Sequence, residues 1–516
     1  MTKKTLTPIV FLGIAALLLA GCSPDQPNSN SSTGPGTSAA VTIVIPAEPA
    51  EVEPCNSENG NTKLMSYNVI QGLTVLDPES REVGPLLATS WEQTAPTTWV
   101  FQLREGVTFH DGAPFDAEAA AFGLNRALNN TAFACSNTSK ISSGVVVTPT
   151  VTGPYELTID TAVEDPILDR ELSYIELVSP NTPTDKETDV PIGTGAYIWD
   201  NWDHGRSITL TRFDGYWGDA PAVETATLIW RSEDSQRANV VLAGEADIAY
   251  TISDSDAPDN DRTKSYEMDT VFALRLPVTV APFTDLRVRQ AFQYAINKQQ
   301  ITDALLGRTG EPYDQFVAPS NNGYAPNLPA TTYDLDKAKA LLAEAAADGI
   351  DVTAPIQLIA LAGHFAGGDE VEQAVTQDLQ KAGFNITLSL TDSEAWKEQL
   401  FRDTMPTGSL VVLGVKHDNT SGDGSSTFTS YYASNGCCGT AVDPTLDQLV
   451  SKALQSSGYD RVTAFEAVGQ YAYTKDLSVV PVAQILGLMM LSDRVEYEPN
   501  PLTASNGIRL DAVSLN

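Results

Sequence analysis

Among 516 residues there are four histidines and five cysteines, and the stretch Arg104 to Leu128, REGVTFHDGAPFDAEAAAFGLNRAL, sets His110 directly before Asp111. A carboxylate that orients an imidazole is the heart of many general-base and metal sites. Such sites need further partners. The chain has no H-E-x-x-H, H-x-x-x-H, C-x-x-C, G-x-S-x-G or G-x-x-x-x-G-K-[ST], and no serine three residues before a lysine. His204, His364 and His417 are scattered along the chain. An aspartate at a turn accepts backbone N–H groups, so His110-Asp111 is expected to complete a turn rather than perform catalysis. With Cys22 set aside, the other four cysteines allow three pairings. Cys55 with Cys135 and a vicinal Cys437 with Cys438 is preferred for an oxidising exterior, and neither metal nor cofactor is expected.

The elements that must hold these residues follow from periodicity. Val41 to Ile45 alternates as a strand. In TTWVFQLREGVTF, Trp99, Phe101 and Leu103 share one face, and Val107 and Phe109 follow Glu105-Gly106, which predicts a hairpin. Gly112 suits a tight turn, Asp116 caps a helix, and Ala120, Leu124, Ala127 and Leu128 fall on its buried stripe. Strands joined by turns fill Gly193 to Tyr250, with a short helix over Ser235 to Ala243. From Pro282 the pattern changes: Asp285 caps a helix with Val288, Ala291, Phe292, Ala295 and Ile296 inward, and Asp334 opens another that Gly349 closes. IQLIAL, EVEQAVTQDLQKAG and FNITLSL then form a β-α-β unit, for which parallel strands are expected.

A hydrophobic content of 42% supports a large core, enough for two or three lobes. The balance of 31 Lys+Arg against 66 Asp+Glu, net −35, repels nucleic-acid phosphates and excludes nucleic acid as a partner. Lys3 and Lys4, the apolar run Ile9 to Ala20 and LAGC ending at Cys22 read as an export signal over residues 1–21. Ala20 and Gly21 before Cys22 resemble a bacterial lipobox, which implies cleavage there and a diacylglyceryl group on the Cys22 sulfur. The polar run SPDQPNSNSSTGPGTSAA that follows suits a flexible tether over 22–39 and a protein held on the outer face of the cell membrane.

Six segments carry a resemblance: VIQGLTVLDPESREVGPLLATSWE, WVFQLREGVTFHDGAPFDAEAAAFGLNRAL, PIGTGAYIW, LTRFDGYWG, LAGEADIAY and PFTDLRVRQAFQYAIN. In this order they resemble the family 5 extracellular solute-binding proteins, the dipeptide, oligopeptide and nickel-binding components of bacterial ABC importers. The resemblance covers nearly the whole mature chain. It implies an α/β, two-lobed periplasmic-binding-protein fold, type II and cluster C-like, with an extra domain inserted in the first lobe. Projected here, the first lobe is 40–61, 189–279 and 487–516, the inserted domain 62–188 and the second lobe 280–486. It implies a monomer that is not an enzyme, closes on a small solute, a peptide by preference, and delivers it to ABC permease subunits with their ATPases. An oligosaccharide, metal chelate or opine in the same fold is the alternative ligand. A secreted hydrolase is the alternative of another class.

In peptide-binding members an aspartate of the second lobe pairs with the peptide's amino terminus, in a stretch like W-x-x-D-x-x-D-P. The matching stretch here is LGVKHDNTSGDGSS, Leu413 to Ser426, which makes Asp418 and Asp423 the candidates, with His417 beside them. It departs from the family in Val415, at the tryptophan position, and in the absence of a proline after Asp423. Trp396 is placed either on the cleft wall or in the core of an amphipathic helix. Tyr67, Asn68 and Gln71 lie on the family's first cleft segment, where their polar groups suit a peptide or sugar backbone, with packing at a domain junction as the other reading.

Overall fold

The computed structural model describes residues 39–56, 67–77, 82–133, 135, 146–319, 321–401, 408–418, 422–499 and 507–516. The export signal, Cys22 and nearly all of the tether lie outside the described residues. Among the described residues, no helix is long and apolar enough to cross a membrane.

Two strands of 13 residues, Thr263–Arg275 and Val479–Leu491, run antiparallel through the middle of an eleven-stranded sheet. Beyond Val479–Leu491 lie Ile248–Ala249, Ala40–Ile45, Thr225–Trp230, Ser207–Arg212 and Tyr197–Asp203 in spatial order. Beyond Thr263–Arg275 lie Val411–Asp418, Ile356–Leu361 and Ile386–Thr391, the last three mutually parallel. The helix Gly368–Ala382 connects Ile356–Leu361 to Ile386–Thr391, as the β-α-β pattern predicts.

The two long strands serve two different cores. At one end Tyr266, Met489 and Leu491 pack with Ile43, Tyr197, Ile208 and Leu228. At the other, Phe272, Leu274, Val480 and Val482 pack with Val288, Phe292, Leu358 and Val371, while Val271 and Ala273 face Leu413, Val415, Phe428 and Phe465 on the opposite side of the sheet. Each fully buried Phe or Leu in such cores contributes about 1.5–3 kcal/mol. The pairing slips in register between Glu267 and Thr270, where the core changes, upstream of the 279/280 boundary projected from sequence. A slip of this kind bends and twists a strand locally.

A third core lies under a four-stranded antiparallel sheet in the order Ala88–Ala95, Thr98–Leu103, Glu156–Thr161, Val147–Gly153. The helix Ala117–Leu128 covers it, burying Ala120, Leu124, Ala127 and Leu128 against Phe101, Phe109, Phe115 and Leu157. Asp116 caps this helix through Ala119 N–H at 3.0 Å. The predicted hairpin between Thr98–Leu103 and the residues after Gly106 does not form. Thr98–Leu103 pairs with Ala88–Ala95 and Glu156–Thr161 instead, and Val107 to Phe115 closes on itself through Phe115 N–H to Val107 O and Phe109 N–H to Ala113 O. Alternation put Val107 and Phe109 correctly in the core but could not identify the partner strands, which are 50 residues away or precede the motif. Cys55 is bonded to Cys135 and Cys437 to Cys438.

Candidate solute site

The dyad His110-Asp111 fastens a turn. Asp111 accepts from Ala113 N–H (3.1 Å), Ser179 Oγ (2.6 Å) and Asn181 Nδ2 (3.0 Å). His110 Nδ1 accepts from Gly193 N–H at 3.4 Å, so it carries no proton, and Nε2–H donates to Gly195 O at 2.9 Å. Burial lowers the imidazole pKa, in keeping with a neutral ring. Both ring nitrogens and both carboxylate oxygens are occupied by the protein itself, which leaves this pair no free group for chemistry. Gly193 and Gly195 allow the close approach: a Cβ on either would stand within 2.5 Å of the backbone at Asn68 and Val69.

The second-lobe candidates divide. Asp423 is fully buried and holds Arg461 in a two-pronged pair, 2.8 Å at each prong, while accepting from Ser425 N–H (2.9 Å) and Asn322 Nδ2 (3.2 Å). Burial alone would raise its pKa, but the hydrogen bonds and charge of Arg461 hold it well below the usual carboxylate range. Asp423 is thus committed to a structural ion pair. Asp418 is exposed at the end of Val411–Asp418, accepts from Thr270 Oγ1 and lies 3.6 Å from Lys416 Nζ. His417 is stacked on Phe316 and meets Tyr431 edge-on, both at 5.0 Å, with Nε2 2.8 Å from Thr427 Oγ1. Burial brings its pKa down to about 4. Trp396 is core: it is buried among Ile359, Leu413 and Phe428, and its indole N–H donates to Gly414 O at 2.9 Å.

The candidates on the first cleft segment also divide. Asn68 ties the chain's two ends, Nδ2 donating to Ile508 O (2.8 Å) and Oδ1 accepting from Leu510 N–H (2.9 Å). Gln71 is bound by Thr194 Oγ1, Trp217 Nε1 and Tyr216 Oη at 2.9, 2.9 and 3.2 Å. Both are packing residues at the junction. Tyr67 instead lines a cavity of about 520 Å³, within the size range of small-molecule sites. Tyr174 and Tyr497 share its wall with Asp77, Glu498, Asp511 and Arg509; Glu498 is paired with Lys264 Nζ at 2.6 Å, and Asp511 accepts from Arg509 Nε at 2.9 Å. Burial raises the Tyr67 and Tyr174 pKa values, Glu176 adding to the first, and Asp269 to both. Among the described residues neither hydroxyl has a hydrogen-bond partner.

The cavity wall approaches the segment at Gly422. Leu76 lines the cavity, and Leu76 Cδ1 lies 3.5 Å from where a Cβ would sit on Gly422. Arg170 Nη1 reaches the Gly422 carbonyl at 3.5 Å. Spacing could not reveal Tyr174, Tyr497, Arg509 or Asp511 beforehand, because Tyr67, Tyr174 and the segment from Tyr497 to Asp511 are far apart in the chain. Among the described residues, no group of three or more His, Cys, Asp or Glu side chains could hold a metal ion.

Comparison with known proteins gives this arrangement a context. The chain is 26% identical over 372 residues to the glutathione-binding protein GsiB of Salmonella paratyphi A, a match covering 68% of this chain and 70% of that one. It is 28% identical over 328 residues to the nickel-binding periplasmic protein of Escherichia coli (60% and 62%), and 27% identical to protein XP55 of Streptomyces lividans over 94% of this chain and 91% of that one. The fold matches the substrate-binding protein CtaP of Listeria monocytogenes, TM-score 0.79 at 18% identity, over 93% and 99% of the two chains. It also matches DppA of Helicobacter pylori in complex with the peptide STSA, TM-score 0.72 at 17% identity, over 92% and 98%. This is the two-lobed type II periplasmic-binding-protein fold. Residues 82–436 match the model of the bacterial extracellular solute-binding proteins, family 5 Middle, and the chain belongs to that family.

Proposed function

We propose that this protein captures a peptide by closing its two lobes over the Tyr67, Tyr174 and Arg509 cavity and delivers it, as a monomer, to the permease subunits of an ABC importer. The observation that carries this reading is a cavity between residues 67–85, 173–174 and 497–512, with two tyrosine hydroxyls that the described residues leave without partners. A hydroxyl both donates and accepts, which suits the main-chain groups of a peptide. The glutathione-binding relative and the peptide-bound DppA support the same class. The lobes we propose are those projected from the sequence, with the hinge moved to the register slip at Glu267 to Thr270, where the core changes.

A thermal-shift screen of small peptides, oligosaccharides and metal chelates tests the ligand class, with peptides expected to raise the melting temperature. Tyr174→Ala, which removes both a hydroxyl and a wall of the cavity, is expected to weaken peptide binding by about tenfold or more. Stabilisation by sugars or chelates alone would overturn the peptide reading.

The protein is further proposed to be anchored by lipid on Cys22 to the outer face of the cell membrane. The motif LAGC and the polar run after it support this. Cys22→Ala is expected to move the protein from the membrane fraction into the medium or periplasm. Unchanged membrane retention, with no lipid mass on the mature N-terminus, would contradict it.

A further inference from the structure

A second cavity, of about 490 Å³, opens beside the helix Leu286–Ala295 and shares no lining residue with the one at Tyr67. Its walls are that helix, the run from Leu328 to Asp334 with Lys337, and the turn from Tyr473 to Leu477. The volume is that of a small-molecule site. Capture of a solute at Tyr67 makes no use of it.

The backbone departs from its ordinary forms to build this wall. The helix Gly458–Tyr471 ends in a π turn, Ala472–Asp476, after which Leu477 N–H reaches back to Ala472 O at 2.8 Å. Such turns are rare and occur often at functional sites. Leu477 then takes a φ of 49°, a left-handed conformation that residues other than glycine seldom adopt. Tyr473, Thr474 and Leu477 all line the cavity.

The polar groups left unengaged on the wall are neutral. Gln293 is 7% exposed; its Nε2 donates to Thr331 Oγ1 at 2.8 Å, while its Oε1 has no partner among the described residues. The same is true of both ends of the Gln290 carboxamide and of the Tyr294 and Thr332 hydroxyls. The charged groups, by contrast, cancel. Asp314 is paired with Lys298 Nζ (2.6 Å) and accepts from Thr331 N–H (3.0 Å). Asp334 caps the next helix through Lys337 N–H (2.9 Å), and the Lys337 ammonium sits 3.8 Å over the Tyr294 ring. Two carboxylates are balanced by two ammonium groups, so a charged ligand gains no net attraction here.

A sugar ring matches such a wall. Each of its hydroxyls donates and accepts, and two neighbouring ones can engage both ends of a carboxamide at once. Its C–H face is apolar and packs on an aromatic ring, which Tyr333, lining the cavity and 37% exposed, supplies. We propose that this cavity is a second ligand site, one that takes an uncharged oligosaccharide, held by Gln290 and Gln293 and packed on Tyr333. It stands apart from the peptide reading, because none of its residues lines the Tyr67 cavity.

The test is isothermal titration calorimetry of the full mature chain with maltotriose, cellotriose and N,N′,N″-triacetylchitotriose. At least one of the three is expected to bind, and Gln290→Ala and Tyr333→Ala, at half-buried and exposed positions, are each expected to weaken it about tenfold or more. Binding by both variants as tight as the parent's would overturn the assignment, and its loss in Tyr174→Ala instead would place the sugar in the Tyr67 cavity. A parent chain that binds none of the three would also overturn it, leaving the peptide reading intact.

Discussion

Replacing Asp423 by Asn is expected to destabilise the folded chain by about 3–5 kcal/mol, because one member of a fully buried ion pair is then left without its counter-charge. Arg461 would keep the carbonyls of Ala453, Leu454 and Ser456, at 3.2, 3.1 and 3.3 Å, and the Phe465 ring at 4.8 Å, but no counter-charge. A buried guanidinium whose carboxylate is gone keeps its desolvation cost and loses its strongest partner. The pair's own net contribution is smaller than the cost of breaking it. Asp423→Leu combined with Arg461→Met should therefore recover part of the loss, and the double-mutant cycle measures how much. The pH dependence has a defined sign. The Asp423 pKa is depressed in the folded state, so its contribution is present above the ordinary aspartate range and disappears as pH falls through the folded value. Urea denaturation of the single and double variants is the measurement. An unchanged midpoint for Asp423→Asn, together with loss of peptide binding, would restore Asp423 to the anchoring role that the sequence alone suggested.

The second large effect concerns Glu372, on the helix Gly368–Ala382. It is 1% exposed, and neither carboxylate oxygen has a hydrogen-bond partner among the described residues. One oxygen would stand 2.7 Å from a Cβ on Gly414, so glycine at that position leaves room for the buried carboxyl. Burial first, and then the charge of Asp369, push the Glu372 pKa up to about 8. The folded state therefore holds a proton that the unfolded state releases near 4.5. Stability is undiminished below that value and erodes as pH rises from there toward 8. Glu372→Gln should leave the urea midpoint unchanged near pH 4.5 and raise stability increasingly above it, by about 2–4 kcal/mol at pH 7. A difference between parent and variant that does not vary with pH would show that the carboxyl does not titrate in this window.

Local structure was legible where a rule of short range governs it. Asp116, Asp285 and Asp334 each cap the helix that the sequence assigns to them, since a cap is decided within three residues. Ala40–Ile45 and the β-α-β unit are visible in their periods. The long strand Thr263–Arg275 is not. Its second half is buried on both faces, so the alternation that marks a half-exposed strand is absent. The site was legible only in part. Tyr67 lines the cavity, but Asn68 and Gln71, equally polar and from the same segment, fasten the junction instead. Asp418 and Asp423 have the same side chain five residues apart. One is exposed at a strand end; the other is buried against an arginine 38 residues downstream, a partner that no local pattern announces.

The central claim is capture of an unchanged solute in the cavity lined by Tyr67, Tyr174 and Arg509. Native mass spectrometry of the mature chain after exposure to a peptide mixture tests it directly. One peptide per chain is expected, recovered chemically intact on denaturation and lost from a Tyr67→Ala, Tyr174→Ala double variant that still folds. Peptide cleaved by the chain, or held by that variant as firmly as by the parent, would contradict it.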